Sequence, residues 1–317
     1  MSELQKIKRK YEEYLMGIKG VTGIGVANQH IVILVEKITP ELRAVLPRTL
    51  DGVPVKVIEV GRVRLFLDTT DRWRPAPGGV SLGHPKVTAG TFACVVSRGS
   101  EIFGLSNNHV IALNWGYSRV GKRGDPTLQP GPYDGGTEKD AIGELYDWVP
   151  VEFNKMNKVD CAIFKPYRDM VRPEILEVGI PTGSGLPKVG MKVKKFGRSC
   201  HLAYSKIEAI DVTVKVYGFG VCTFTEQFIV RNPFGIPGDS GSAVLDNENR
   251  VVGLLFAGSW THTVCNYAVN VERELGIKFA VPSDLIDLRN YAIGIATSIA
   301  PIIGAVIGGW KFVPERK

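Results

Sequence analysis

The sequence predicts a mainly β protein with a small α/β unit ahead of it and an apolar helical segment behind it. Three observations lead there. From Val87 to Val281 the chain is a succession of short β-rich runs separated by Gly, Pro, Asn or Asp, the pattern of a barrel or sandwich. Before residue 66 a helical apolar pattern is followed by three strand patterns. After Ser283 the stretch Tyr291–Trp310 contains no charged residue.

In chain order, Leu4, Ile7, Tyr11, Tyr14, Leu15 and Ile18 fall on one helical face, and Gly20 is a natural stop. Strands are expected over Val21–Val26 and Ile31–Val35, either side of an Asn-Gln-His turn. Thr39 reads as an N-cap with Pro40 at the first helical position, opening a short helix through Leu46. Val53–Val60 is a third strand, which closes an accessory unit over residues 1–66. Residues 67–86, with Trp73-Arg74-Pro75-Ala76-Pro77-Gly78-Gly79, read as a linker because prolines and glycines suit neither a helix nor a central strand. Residues 87–282 form the β domain. Its strands are expected at Thr91–Val96, Glu101–Leu105, Cys161–Phe164, Lys192–Phe196, Ile207–Val216, Thr223–Val230, Ala243–Leu245 and Arg250–Phe256.

The last region is 283–317. Tyr291–Trp310 is long enough to span a bilayer, which takes roughly 20 apolar residues. It is apolar all round, with Tyr291 and Trp310 placed as interfacial aromatics and Arg289 and Lys311 outside them. Pro301 and several glycines argue instead for a segment packed on protein. Membrane association and a buried helix both remain open.

Composition narrows the function. With 317 residues, 44% of them hydrophobic and 22% charged, the chain has ordinary globular composition and length enough to bury a core without disulfides. The net charge of +7 is scattered, with only Lys6–Lys10 forming a short basic run, so nucleic acid is not an expected partner. The five cysteines (Cys94, Cys161, Cys200, Cys222 and Cys265) form no CxxC pair or Cys/His ligand set, so neither a disulfide framework nor a metal or other cofactor is expected. The start, MSELQKIKRKYEEYL, is charged and amphipathic without an apolar signal core, so a cytoplasmic setting is expected.

The strongest chemical signal is Pro237-Gly238-Asp239-Ser240-Gly241-Ser242. Small neighbours leave a substrate backbone room to approach Ser240, and the N–H groups of Gly238 and Ser240 are candidates to face a developing oxyanion. Gly, Asp and Ser are also common in plain polar turns. A serine nucleophile needs a base. Of His30, His84, His109, His201 and His262, His109 lies at the end of an apolar strand in Gly104-Leu105-Ser106-Asn107-Asn108-His109-Val110. The base needs a carboxylate to fix its tautomer. Asp160 heads the apolar run Val159–Phe164, where a buried acid requires a partner.

In the order His, Asp, Ser these segments resemble the trypsin-like (chymotrypsin-fold) serine peptidases, over about Gly78–Val281. They are most similar to a bacterial and archaeal cytoplasmic trypsin-like group. The matching segments are Gly78–Ser81, Thr88–Thr91, Asn107–Val110, Gln129–Gly131, Val159–Ala162, Gly238–Ser242 and Val252–Ser259. The resemblance implies a double β-barrel and a serine endopeptidase acting on protein or peptide substrates, with self-processing a further expectation. Ser240 is then the nucleophile, His109 the base and Asp160 its orienter, and the N–H groups of Gly238 and Ser240 form the oxyanion hole. Phe256, Ala257 and Gly258 form the substrate-pairing strand, and Phe234 lies at the floor of the primary pocket. With no acid at Phe234, P1 Lys or Arg is not favoured.

The chain departs from secreted members of the family in three ways. No cysteine pair brackets His109. No cleavable basic site precedes an apolar N-terminus able to pair with Asp239. Gly197-Arg198-Ser199-Cys200-His201 stands where the group has a Gly-Arg-Thr-Thr-Gly-like segment. The alternative functions are a catalytically silent binding or membrane-associated scaffold module on the same fold, and a cysteine enzyme built on Cys200 and His201.

Overall fold

A computed structural model describes residues 1–61, 63 and 68–281. Its contacts divide the chain after Leu67 into two compact units.

The first unit opens with α1 (Glu3–Met16). Ser2 caps it in a capping box: its Oγ accepts from Gln5 N at 3.3 Å and its N–H donates to Gln5 Oε1 at 2.8 Å. The helix ends at Gly17, earlier than the Gly20 stop expected from the apolar spacing. Gly20, at φ +96°, lies in the turn into the sheet instead. Four strands follow, β1 (Val21–Ala27), β2 (His30–Val35), β3 (Thr49–Leu50) and β4 (Val53–Glu59), in the order β1-β2-β4-β3. Strands β2 and β4 are parallel, and α2 (Pro40–Val45) lies in the crossover between them. Thr39 caps α2 as expected, its Oγ1 accepting from Leu42 N at 3.2 Å. Alternate residues Ile31, Ile33 and Val35 bury one sheet face against Ile7 and Leu15 of α1.

The second unit contains β5 (Ala76–Gly78), β6 (Ser81–Leu82), β7 (Gly90–Thr91), β8 (Cys94–Arg98), β9 (Glu101–Ser106), α3 (Asn108–Ile111), β10 (Pro126–Leu128), β11 (Ala141–Trp148), β12 (Met156–Asn157), β13 (Ala162–Pro166), β14 (Val171–Ile175) and β15 (Gly183–Ser184). It continues with β16 (Lys192–Gly197), β17 (His201–Gly218), β18 (Gly220–Arg231), β19 (Ala243–Leu245), β20 (Arg250–Gly258), β21 (His262–Tyr267) and α4 (Ala268–Leu275). One sheet runs β10-β11-β13-β9-β8. In the other, β16 pairs β17, β17 pairs β18, β18 pairs β21, β21 pairs β20, β20 pairs β19 and β19 returns to β16. Inside this cycle lies a core of Val193, Ile207, Phe228, Val230, Phe234, Val244, Val252 and Leu255.

Two strand expectations are corrected, and residues 68–86, read as part of a linker, hold β5 and β6 with Ala76, Val80 and Leu82 fully buried. The glycines serve close packing: a Cβ on Gly78 would lie 2.4 Å from Ala93 O, and one on Gly79 2.5 Å from Phe196 Cδ1. The single strand expected over Thr91–Val96 is two, because Phe92 N turns to Val80 O and Ala93 N to Leu105 O between β7 and β8. The hairpin β17–β18 pairs as far as Gly218–Gly220, well beyond the expected ends at Val216 and Thr223. The apolar run Tyr291–Trp310 lies outside the described residues, among which no helix is long and apolar enough to cross a membrane.

Candidate active site

The register of one strand pair brings the histidine and its acid together. Ser106, the last residue of β9, faces Ala162, the first of β13, so the segment leaving one strand lies beside the segment entering the other. The Asn-Asn-His sequence ties that corner down. Asn107 Nδ2 donates to Asp160 O at 2.6 Å, while Asn108 Nδ2 donates to Asn114 O at 3.0 Å and Val149 O at 2.6 Å. His109, on α3, then meets Asp160 twice: its backbone N–H donates to Oδ1 at 3.1 Å, and its ring Nδ1 hydrogen-bonds Oδ2. Asp160 is fully buried, a placement that costs several kcal/mol for a lone carboxylate and requires such partners. Its own N–H donates to Asn266 Oδ1 at 3.0 Å, and Asn266 Nδ2 donates in turn to Gln227 Oε1 at 2.7 Å. Nδ1 is thus engaged by the carboxylate, while the His109 side chain stays 21% exposed. The His109 ring stands edge-on to Trp115 at 6.1 Å, and the aromatic contacts continue through Phe224 to Phe256.

Ser240 lies on a tight turn between two glycines at φ +98°, Gly238 and Gly241, a region that suits residues without a Cβ. Along this turn the N–H groups of Asp239, Gly241 and Ser242 are spent on Ile236 O (3.0 Å), Leu255 O (2.9 Å) and Asp239 O (2.9 Å). Among the described residues, the N–H groups of Gly238 and Ser240 donate no hydrogen bond. The two free donors therefore lie on alternate residues of a loop whose other N–H groups are bonded. The Ser240 hydroxyl is partly exposed and donates to Phe256 O at 3.4 Å rather than to His109.

Asp239 is held from within the fold. Its carboxylate is fully buried against the equally buried Lys195 ammonium at 2.8 Å, a close charge contact without a well-directed hydrogen bond. Asp239 Oδ1 accepts from Ser199 N at 2.9 Å and Cys200 N at 3.0 Å, and Oδ2 from Ile236 N at 3.0 Å. Lys195 had no signal in the sequence, where Lys192-Val-Lys-Lys reads like any solvated strand edge. Asn266 and Gln227 were missed for the same reason: only pairing across β18 and β21 brings them under Asp160.

The remaining site expectations lie as follows. Phe256 is buried, Ala257 half-buried and Gly258 exposed at the end of β20. The Phe234 ring is fully buried in the core of the six-strand cycle. Cys200 is half-buried and presents its N–H to Asp239, while His201 stacks on Phe196 at 5.6 Å. No group of three or more metal-ligating side chains occurs among the described residues.

No family model and no curated protein matches the chain. Among solved structures it is similar to Thermobifida fusca protease A, with 16% identity and a TM-score of 0.48 over 65% of this chain and 98% of that one. It is likewise similar to Nocardiopsis protease, with 14% identity and a TM-score of 0.48 over the same shares, 65% and 98%. A third likeness is to an alpha-lytic protease homologue, with 16% identity and a TM-score of 0.47 over 64% of this chain and 98% of that one. These are chymotrypsin-fold serine proteases. The likeness concerns the fold alone.

Proposed function

We propose that the chain is a serine endopeptidase of two-barrel, trypsin-like design that hydrolyses peptide bonds through an acyl-enzyme. In this reading Ser240 attacks the scissile carbonyl. His109 takes its proton and later gives it to the leaving amine, and Asp160 holds the imidazole with Nδ1 protonated. The developing oxyanion is received by the N–H groups of Gly238 and Ser240. An extended protein or peptide substrate pairs with Phe256–Gly258 beside the nucleophile.

The observation that carries the reading is the pair of unspent N–H groups flanking Asp239, on the turn that presents Ser240, in a unit where a buried aspartate orients a histidine. A turn that leaves two N–H groups on alternate residues without a protein acceptor keeps both available as donors. It is what a site for a transient negative charge requires. The weak 3.4 Å bond from the Ser240 hydroxyl to Phe256 O is compatible with a resting site, because catalytic hydrogen bonds often tighten only with substrate bound.

That same bond is the one observation favouring the second reading, a silent binding module in which the serine never meets the histidine. Fluorophosphonate labelling followed by peptide mass mapping separates the two. The peptidase reading expects modification at Ser240 that disappears in Ser240→Ala and in His109→Ala. A native, folded chain that stays unmodified would establish the silent module instead.

A further inference from the structure

Thr91 links the Ser240 turn to the rest of the fold through all of its polar atoms. Its side chain is fully buried. Its backbone N–H donates to Ser240 O at 2.7 Å, and its backbone oxygen accepts from Ser106 Oγ at 2.8 Å. Its hydroxyl lies between two backbone groups. Arg198 N–H donates to Oγ1 at 3.1 Å, and Oγ1 donates its single proton to Gly238 O at 2.9 Å. One residue therefore holds carbonyls on both sides of Asp239. The contact is close enough that a Cβ on Gly241 would come within 2.2 Å of Thr91 O.

Arg198, whose N–H completes the hydroxyl relay, is itself fixed. Its guanidinium grips Asp134 through Nε and Nη2, and Nη1 donates to Ser199 Oγ at 2.9 Å. Asp134 also accepts from Ser81 Oγ at 2.5 Å, and Ser81 Oγ accepts from Gly131 N at 3.0 Å. The guanidinium lies 5.3 Å from the Tyr133 ring centre. On its other side it presses on the turn, since a Cβ on Gly238 would lie 2.5 Å from Arg198 Nη1 and 2.2 Å from Ser199 Oγ. Four sequence segments that look unrelated, around Ser81, Thr91, Gly131 and Arg198, are thus joined in one chain of hydrogen bonds whose last link, from the Thr91 hydroxyl, ends on the carbonyl of Gly238.

We infer that Thr91, backed by the Arg198–Asp134 pair, is a positioning residue that sets the Gly238–Asp239 peptide so that the free N–H groups on either side of it converge on one point. The inference rests on the peptidase reading and assigns the orientation of its oxyanion site to a side chain that touches neither substrate nor nucleophile. The physical need is plain. Gly238 at φ +98° has more backbone freedom than any other residue type, and a loop with two unbonded donors gains by rotating one of them towards a partner. Anchoring the carbonyls of Gly238 and Ser240 holds the peptides adjoining those that carry the two N–H groups, which limits that rotation.

The test compares Thr91→Val, of nearly the same shape but without the hydroxyl, with Thr91→Ser, which retains it. Turnover of a peptide substrate is normalised to active sites titrated with a fluorophosphonate, so loss of folded protein does not register. Removing an oxyanion donor outright costs about 10²–10³ in kcat, and misaiming one costs a part of that. The expectation for Thr91→Val is a fall of about tenfold to a hundredfold in kcat per titrated site with KM within about twofold, and for Thr91→Ser recovery to within about threefold of the native rate. Asp134→Asn, which loosens Arg198, should lower kcat in the same direction by less. It serves as the deciding variant if Thr91→Val does not fold. A Thr91→Val protein, or in its place Asp134→Asn, with native kcat per titrated site would overturn the inference. A native chain that neither labels nor turns over would instead defeat the peptidase reading.

Discussion

Replacing Lys195 by methionine leaves a side chain of similar length in the same buried position but removes the charge facing Asp239. Lys195 and Asp239 are both completely buried, with Nζ 2.8 Å from Oδ2. Taking one partner from a buried ion pair destabilises proteins by about 3–5 kcal/mol, because the remaining charge is left in a poor dielectric. Here the carboxylate keeps three backbone donors, from Ile236, Ser199 and Cys200, which favours the lower end, about 3 kcal/mol. At about 2–4 °C per kcal/mol for a unit of this size, the thermal midpoint should fall by about 6–12 °C. The assay is thermal and urea unfolding of the full chain for Lys195→Met, Asp239→Asn and the pair combined, read as a double-mutant cycle. A buried, mutually dependent pair predicts that the double variant is more stable than the sum of the single losses allows, by more than about 2 kcal/mol. A coupling below about 1 kcal/mol, the value of an exposed surface pair, would refute the argument that the Lys195 ammonium is what holds Asp239 in place.

In the peptidase reading, Asp160→Asn should lower kcat by about 10⁴ through the wrong histidine tautomer, as in related triads, and near-native turnover would mean that a different acid serves His109. A peptide library should show no preference for Lys or Arg at P1, since Phe234, Pro233 and Gly235 carry no carboxylate; cleavage clustering after basic residues would overturn that expectation. Of the five cysteines, Cys94, Cys161, Cys222 and Cys265 are buried and Cys200 is half-buried, and burial pushes the Cys94 thiol up to about 12. The native chain should therefore react with a thiol reagent at Cys200 alone, and a native titre of two or more would contradict it. Burial raises the Glu174 carboxyl above its ordinary value despite Arg172 at 2.7 Å, so between the ordinary and the raised value the folded chain keeps a proton there that the unfolded chain has released. Stability should decline as pH rises from the ordinary glutamate value through the raised one, and Glu174→Gln should flatten that decline; parallel curves for the two proteins would count against it.

The sequence by itself determined the elements whose signals are local. The cap at Thr39, the strand Ala243–Leu245 and the order of strand patterns after residue 87 follow from side-chain period and turn chemistry within a few neighbouring residues. The candidate nucleophile, base and acid were legible too, because a serine among small residues, a histidine after a strand and an acid heading an apolar run are each unusual in context. Tertiary structure alone decided what those residues meet. Residues 67–86 look like a linker because proline and glycine are read as breakers, yet Gly78 and Gly79 let backbone and side chain pass within a distance no Cβ tolerates. Lys195, Thr91, Asn266 and Gln227 carry no local mark, since a lysine or threonine that supports a turn 45 or 149 residues away has the same neighbours in sequence as one that faces water. Their roles arise from strand register: side-chain direction alternates along a strand, and only the pairing of β16 with β17 and β19 decides that Lys195 points inward to a buried carboxylate rather than outward to solvent.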